Sequence, residues 1–178
     1  MHNKITKAIT ASLMAAAMLT TTVATVAPMS VSAGEILGES TFDYKALPWH
    51  TCETNPAKQT FDLDNEMFHV TIVNAKGGDG DRWDLQTRHR NLNFKAGHTY
   101  KVSWSAKASR QGVKVYTKIG NIKGDEEYWV SGGQGPHMGG DWGNAKAVEL
   151  TTSMQTFTSS FKCTKDLEGV EWAFHYAV

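Results

Sequence analysis

The sequence predicts an all-β protein built as a β-sandwich or jelly roll. Apolar and polar residues alternate with a period of two along several short segments of the chain. Glycine-rich and polar turn signals separate these segments, and the 3.6-residue period of amphipathic helices is almost absent. Many short strands at this spacing are typical of sandwich and jelly-roll folds.

Residues 1–33 have the composition of a secretory signal peptide. Lys4 and Lys7 precede an apolar, threonine-rich run, which closes on the small residues of Val31-Ser32-Ala33. A transmembrane anchor is the alternative, but threonines dilute the run, no basic stop-transfer cluster follows it, and no other run approaches membrane-spanning length. We therefore expect a secreted, extracellular protein that starts at Gly34 and has no membrane partner.

The mature chain, residues 34–178, has the size of one domain. Its length is 178 − 33 = 145 residues, and removal of Lys4 and Lys7 leaves 16 basic against 18 acidic residues, a formal charge of −2. Nucleic-acid binders carry a basic excess, because neutralisation of phosphates supplies most of their affinity. We therefore expect no nucleic-acid partner.

Five segments of the mature chain alternate most clearly, and we interpret each as a strand. They are MFHVTIVN (67–74), TYKVSWSAKA (99–108), GVKVYTKIG (112–120), QTFTSSFKC (155–163) and GVEWAFHYAV (169–178). The alternation places Trp104 and Trp172 among apolar residues, so both are predicted to lie in the core.

A sixth strand, RWDLQTRHR (82–90), carries the residues that best suit a ligand. If Leu85 and Thr87 face inward, the opposite face presents Asp84, Gln86, Arg88 and Arg90. Amide and guanidinium groups hold their donors in a fixed plane, which suits the hydroxyls of a sugar. Trp83, at the start of the strand, offers a flat apolar face to a pyranose ring. The pattern favours a neutral, hydroxylated ligand.

The acids before this strand, Asp79, Asp81 and Asp84, do not match a calcium loop. A twelve-residue loop counted from Asp79 places Asp84 where a glycine is needed and Arg90 where a glutamate is needed. We interpret GGDGD (77–81) as a turn, and we predict no metal ligands.

The two cysteines of the mature chain, Cys52 and Cys163, predict a disulfide. An even count in an exported protein favours a bridge, here closing a loop of about 110 residues. Two separately buried thiols are the alternative.

Several blocks of the chain resemble a known family. LPWHTCETNPAK, GGDGDRWDLQTRHRNL, YTKIGN and LEGVEWAFHYA are similar to jelly-roll carbohydrate-binding modules of the family 4, 9, 16 and 22 group. Such modules are attached to secreted clostridial and ruminococcal cellulases of the family 9 glycoside hydrolase type. The resemblance covers residues 36–178. It implies non-catalytic binding of plant cell-wall β-glycans (β-1,4- or mixed-linkage glucan, xylan or related chains) along a concave sheet face, beside a catalytic glycoside hydrolase domain.

The resemblance, together with the alternation above, assigns binding residues but no catalytic residue and no cofactor. The predicted carbohydrate-binding residues are Trp83, Gln86, Arg88, Tyr116, Lys118, Glu171 and His175, with Trp49 and Trp129 as rim platforms. Such modules usually end with one more strand, which often supplies a structural calcium ligand. The chain stops at Val178, so we expect a sandwich that lacks its final strand and has an unpaired edge; the calcium site stays open.

Two other functions fit the same residues. A small jelly-roll glycoside hydrolase or lyase would need two carboxylates about 5–9.5 Å apart, for which Glu171 and the acids at 125–127 are candidates. A secreted protein-interaction domain would use the exposed tryptophans to anchor a protein partner.

Overall fold

The fold was analysed in a computed structural model of the whole chain. The structure describes residues 36–37, 40, 42, 46–120 and 147–177, and the backbone alone of Ser12–Ala16 and Glu127–Trp129. The glycine-rich stretch at 131–144, with Trp142, lies outside the described residues, as do Asp125, Glu126 and the side chain of Glu127.

The described residues form strands joined by short turns and contain no α-helix. The strands are β1 (Ser12–Ala16), β2 (Trp49–Glu53), β3 (Lys58–Asp64), β4 (Met67–Asn74), β5 (Leu85–Phe94), β6 (Thr99–Ala106), β7 (Val113–Gly120), β8 (Glu127–Trp129), β9 (Val148–Leu150), β10 (Gln155–Lys162) and β11 (Leu167–His175). A single 3-10 turn, Arg82–Asp84, precedes β5. The predicted all-β class is confirmed.

Two sheets pack face to face to form the sandwich. The larger sheet has the order β2-β5-β11-β7-β8, with β9 added at β7, and the smaller has the order β1-β6-β10. A separate hairpin pairs β3 with β4. The pairs within the sheets are antiparallel, as hairpin-rich sandwiches require.

The core lies between the two sheets and is dominated by aromatic rings. Phe94 of β5 meets Tyr100 of β6 at 4.8 Å between ring centroids, and Trp104 of β6 meets Phe174 of β11 at 5.0 Å. Trp172 is fully buried, and its indole Nε1 donates to Thr117 Oγ1 at 2.7 Å. The core positions predicted for Trp104 and Trp172 are confirmed.

One side of β6 in the smaller sheet is paired with a strand from the predicted signal peptide. The backbone of Ser12–Ala16, which lies inside the predicted signal peptide, runs antiparallel to Thr99–Ser103 of β6. Removal of residues 1–33 from the mature protein stays a prediction, and it would take this strand away from β6. No helix in the part of the chain that the structure describes is long and apolar enough to span a membrane.

The predicted disulfide between Cys52 and Cys163 is wrong, because both residues are thiols in the structure. Cys52 belongs to β2 and pairs with Gln86 in the larger sheet. Cys163 follows β10 in the smaller sheet, is fully buried and donates its S–H to the carbonyl of Lys165 at 2.9 Å. The number of cysteines is evident from the sequence, but the sequence does not show that the two residues belong to different sheets.

Candidate functional site

A capped turn fixes the start of β5 and so the position of every side chain that follows. Asp81 accepts from the backbone N–H of Arg82 at 2.6 Å, and Asp84 Oδ2 accepts from the N–H of Asp81 at 3.1 Å, which completes a capping box. Gly77 passes so close to the Asp84 carboxyl that a Cβ there would lie 2.1 Å from its carbon. Asp84 is therefore buried as a structural cap and does not share the outer face predicted for it.

The side of the larger sheet that faces away from the core carries most of the predicted binding residues. We call this surface the polar face, and it comprises His50, Gln86, Arg88, Arg90, Tyr116, Lys118, Glu171 and His175. The strand register aligns these residues in rows: His175 of β11 lies between Gln86 of β5 and Tyr116 of β7. In the next row Ala173 lies between Arg88 and Lys118, so its small side chain separates the two cations.

A buried carboxylate organises the cations of the polar face. The Glu171 side chain is 2% exposed, and its Oε2 lies 3.5 Å from Arg88 Nη1 and 3.7 Å from Arg90 Nε. Its Oε1 lies 3.6 Å from Lys118 Nζ. Because an unpaired buried carboxylate is costly, the three cations offset the burial of Glu171 and hold it in position within the face.

The row of Gln86, His175 and Tyr116 contributes uncharged polar groups. The Gln86 amide donates to the carbonyl of Trp83 at 2.7 Å, which leaves its oxygen as an acceptor. Burial, together with the positive charges of Lys118, Arg82 and Arg88, lowers the pKa of His175 from the ordinary 6.5 to about 3. His175 is therefore neutral at physiological pH and can both donate and accept a hydrogen bond.

Aromatic rings meet a guanidinium at one end of the polar face. The Arg82 guanidinium carbon lies 4.7 Å from the ring centroid of Tyr116 and 5.8 Å from that of Trp83. The Trp83 indole donates to Asp79 Oδ2 at 3.1 Å, which holds the ring at the entrance of β5. Both rings are half-buried, so each retains accessible apolar surface beside the planar donors.

The rim role predicted for Trp49 is wrong, because this residue is part of the core. Trp49 is 3% exposed, and its ring packs against Trp172 at 5.5 Å and Phe174 at 5.8 Å. Its indole donates to the hydroxyl of Ser40 at 3.0 Å. For Trp129 the structure describes only the backbone, which pairs with Lys118; its predicted role lies outside the described side chains.

Sequence reasoning missed two members of this region, Arg82 and His50. Arg82 lies in the 3-10 turn, where the period-two rule used for strands does not apply. His50 lies on a short strand that the sequence pattern did not reveal, and its Nε2 accepts from Arg88 Nε at 3.3 Å. His50 would have been found if the alternation of inward and outward residues along β2 had been recognised in the sequence.

The polar face offers neither a metal cluster nor a carboxylate pair among the residues that the structure describes. No group of three or more His, Cys, Asp and Glu could hold an ion within the described ranges. Among the side chains that the structure describes on the polar face, Glu171 is the one carboxylate, and three cations lie within 4.0 Å of it.

A cavity among the described residues lies away from the polar face. It has a volume of about 1070 Å³ and opens between the β3–β4 hairpin and β6, where Phe68, Val70 and Trp104 line it. Apolar side chains near it, Ile72 and Met154, are 41% and 39% exposed. Planar donors and aromatic edges converge on the polar face, which we take as the candidate site.

Planar donors beside accessible rings on a sheet face suit a glycan ligand, and comparison with known proteins identifies a non-catalytic binding domain of this kind. Residues 34–177 match the family model described as "Carbohydrate binding domain", and the chain belongs to this CBM_4_9 family. A solved structure described as "CBM4 structure and function" superimposes with a TM-score of 0.59 at 21% identity, over 79% of this chain and 88% of that chain. That likeness supports the jelly-roll fold.

One curated relative is an enzyme from Acetivibrio thermocellus. It is a "Cellulose 1,4-beta-cellobiosidase" that is 37% identical over 107 residues, which cover 53% of this chain and 11% of the relative. The chain therefore spans a small part of that protein's length.

Proposed function

We propose that the polar face binds plant cell-wall β-glycans, namely β-1,4- or mixed-linkage glucan, xylan or related chains. The observation that carries this proposal is the pair of half-buried residues Gln86 and Tyr116, which lie on either side of buried His175, with Arg88 and Trp83 beside them. An extended polysaccharide needs hydrogen-bond partners at successive hydroxyls and apolar surface for its rings. The curated relative, a cellulose 1,4-beta-cellobiosidase, supports the β-1,4-linked class.

We also propose that the domain is secreted and directs an attached glycoside hydrolase to its polysaccharide. The match to a short part of a much longer cellobiosidase supports this arrangement. Stacking and hydrogen bonding require no metal or cofactor, so EDTA is expected to leave glycan binding unchanged.

Affinity gel electrophoresis tests the proposal directly. The protein is run through native gels that contain barley β-glucan, xyloglucan, xylan, glucomannan or no polymer, and parallel samples are assayed for new reducing ends. Retardation by at least one polymer without new reducing ends is the expected result. Tyr116→Ala should lose the retardation, whereas Lys101→Ala, on an exposed position of β6 in the other sheet, should keep it.

Two other results would contradict the proposal. New reducing ends would support a hydrolase, and a folded protein that no polymer retards would favour a protein partner.

A further inference from the structure

The charges on the polar face exceed what a neutral glycan requires. Arg88, Arg90 and Lys118 all approach Glu171, at 3.5, 3.7 and 3.6 Å. Arg88 and Arg90 carry two positive charges against the single negative charge of Glu171, a formal sum of +1. Glu171 is the one carboxylate within 4.0 Å of either arginine in the described parts of the chain.

The ion pairs with Glu171 are too long to satisfy the hydrogen-bonding groups of the cluster. Charge-assisted N–H···O bonds are typically about 2.7–2.9 Å long. Arg90 Nε and Glu171 Oε2, both buried, make no hydrogen bond in the structure. The guanidinium of Arg90 is therefore held near Glu171 without being saturated by it.

Arg90 is the most accessible cation of the cluster. Its side chain is 37% exposed, against 13% for Arg88 and 4% for Lys118. A planar guanidinium that reaches solvent binds a carboxylate through two parallel N–H···O bonds, with a geometry that an ammonium cannot reproduce. The charge of Arg88 beside it adds a positive potential that attracts an anionic ligand.

We infer that this face prefers a β-glycan with uronic-acid substituents, and that Arg90 binds the uronate carboxylate. The inference rests on the proposed function and narrows it, because it specifies an acidic side group on an otherwise neutral β-linked backbone. Arg90 would then determine which polysaccharide the domain selects, while Gln86 and Tyr116 contact the backbone sugars common to acidic and neutral chains.

The test compares one polymer with and without its carboxylates. Glucuronoxylan is used as isolated and after carbodiimide–borohydride reduction, which converts each uronate into a neutral sugar and leaves the backbone intact. Binding of the protein to both polymers is measured by calorimetry at 150 mM salt. We expect about tenfold tighter binding to the native polymer, the size of effect that one charge-assisted pair provides.

Two variants locate the effect. Arg90→Gln is expected to abolish the difference between the two polymers, whereas Arg110→Gln, an exposed arginine outside the polar face, should retain it. Thermal melts must show both variants folded before binding is compared. Arg90→Lys keeps the positive charge but lacks the planar guanidinium that makes two parallel hydrogen bonds. This variant should therefore show only part of the preference for the native polymer.

Each other outcome overturns a specific claim. Equal affinity for native and reduced polymer would refute the inference and leave the proposed function standing. A preference that Arg90→Gln does not change would refute the role of Arg90. A folded protein that binds neither form, nor any neutral β-glycan, would refute the proposed function itself.

Discussion

Replacement of Trp49 by alanine should destabilise the fold, because the structure places this residue in the core. Trp49 is 3% exposed and contacts the rings of His89, Trp172 and Phe174. A buried tryptophan removes about 200 Å² from water, which at about 25 cal/mol per Å² corresponds to about 5 kcal/mol. Truncation of buried aromatic side chains typically costs about 3–5 kcal/mol, and the hydroxyl of Ser40 also loses its partner.

The assay is urea unfolding followed by circular dichroism, with Trp83→Ala as the matched control. Trp83 is half-buried and donates one exposed hydrogen bond to Asp79, so its loss should cost no more than about 1 kcal/mol. Trp83→Ala should instead weaken glycan binding. A Trp49→Ala variant with wild-type stability and lost glycan binding would refute the assignment of Trp49 to the core and restore its predicted rim role.

Three further predictions follow from the polar face, its electrostatics and the cysteines. Gln86→Ala should weaken glycan binding by about 1–3 kcal/mol, because a ligand hydroxyl loses its partner, while the exposed Gln111→Ala should bind normally; equal affinities would move the site elsewhere. Because His175 has a pKa near 3 when folded and 6.5 when unfolded, the unfolded state takes up a proton first as the pH falls. The free energy of unfolding should therefore drop by about 2 kcal/mol between pH 8 and pH 5, and a flat profile would contradict the buried neutral imidazole. Titration with Ellman's reagent in urea without reductant should detect two thiols, Cys52 and Cys163. Buried Cys163 should react only after unfolding. If neither thiol reacts, the two cysteines form the disulfide predicted from the sequence.

The sequence predicts the long strands well, because burial on one face imposes a period of two. Met67–Asn74 agrees with its predicted segment, and Thr99–Ala106 and Val113–Gly120 agree to within two residues at each end. Leu85 and Thr87 face the core as predicted, which places Gln86 and Arg88 on the opposite face. The same alternation that builds the sandwich therefore also determines which side chains point to the candidate site.

The sequence does not reveal the shorter strands, and the errors at the site follow from that. The β3–β4 hairpin turns through Asn65 and Glu66, both with positive φ, where a glycine at the second position would have signalled the turn. Because β2 was not predicted, the polar neighbours of Trp49 suggested an exposed loop. In the strand, the side chain of Trp49 faces inward. Contacts between neighbouring strands of a sheet, such as those of Glu171 with three cations, depend on register and could not be predicted from spacing along the chain.

The most direct test of the central claim is to map glycan contacts on the protein by NMR. A hexasaccharide from a polymer that retards the protein is titrated into the ¹⁵N-labelled protein, and changes in the backbone amide shifts are assigned to residues. The account predicts that the largest changes fall on β5, β11 and β7, around Gln86, His175 and Tyr116. Largest changes on β6 and β10, or around the cavity beside the β3–β4 hairpin, would contradict the assignment of glycan binding to the polar face.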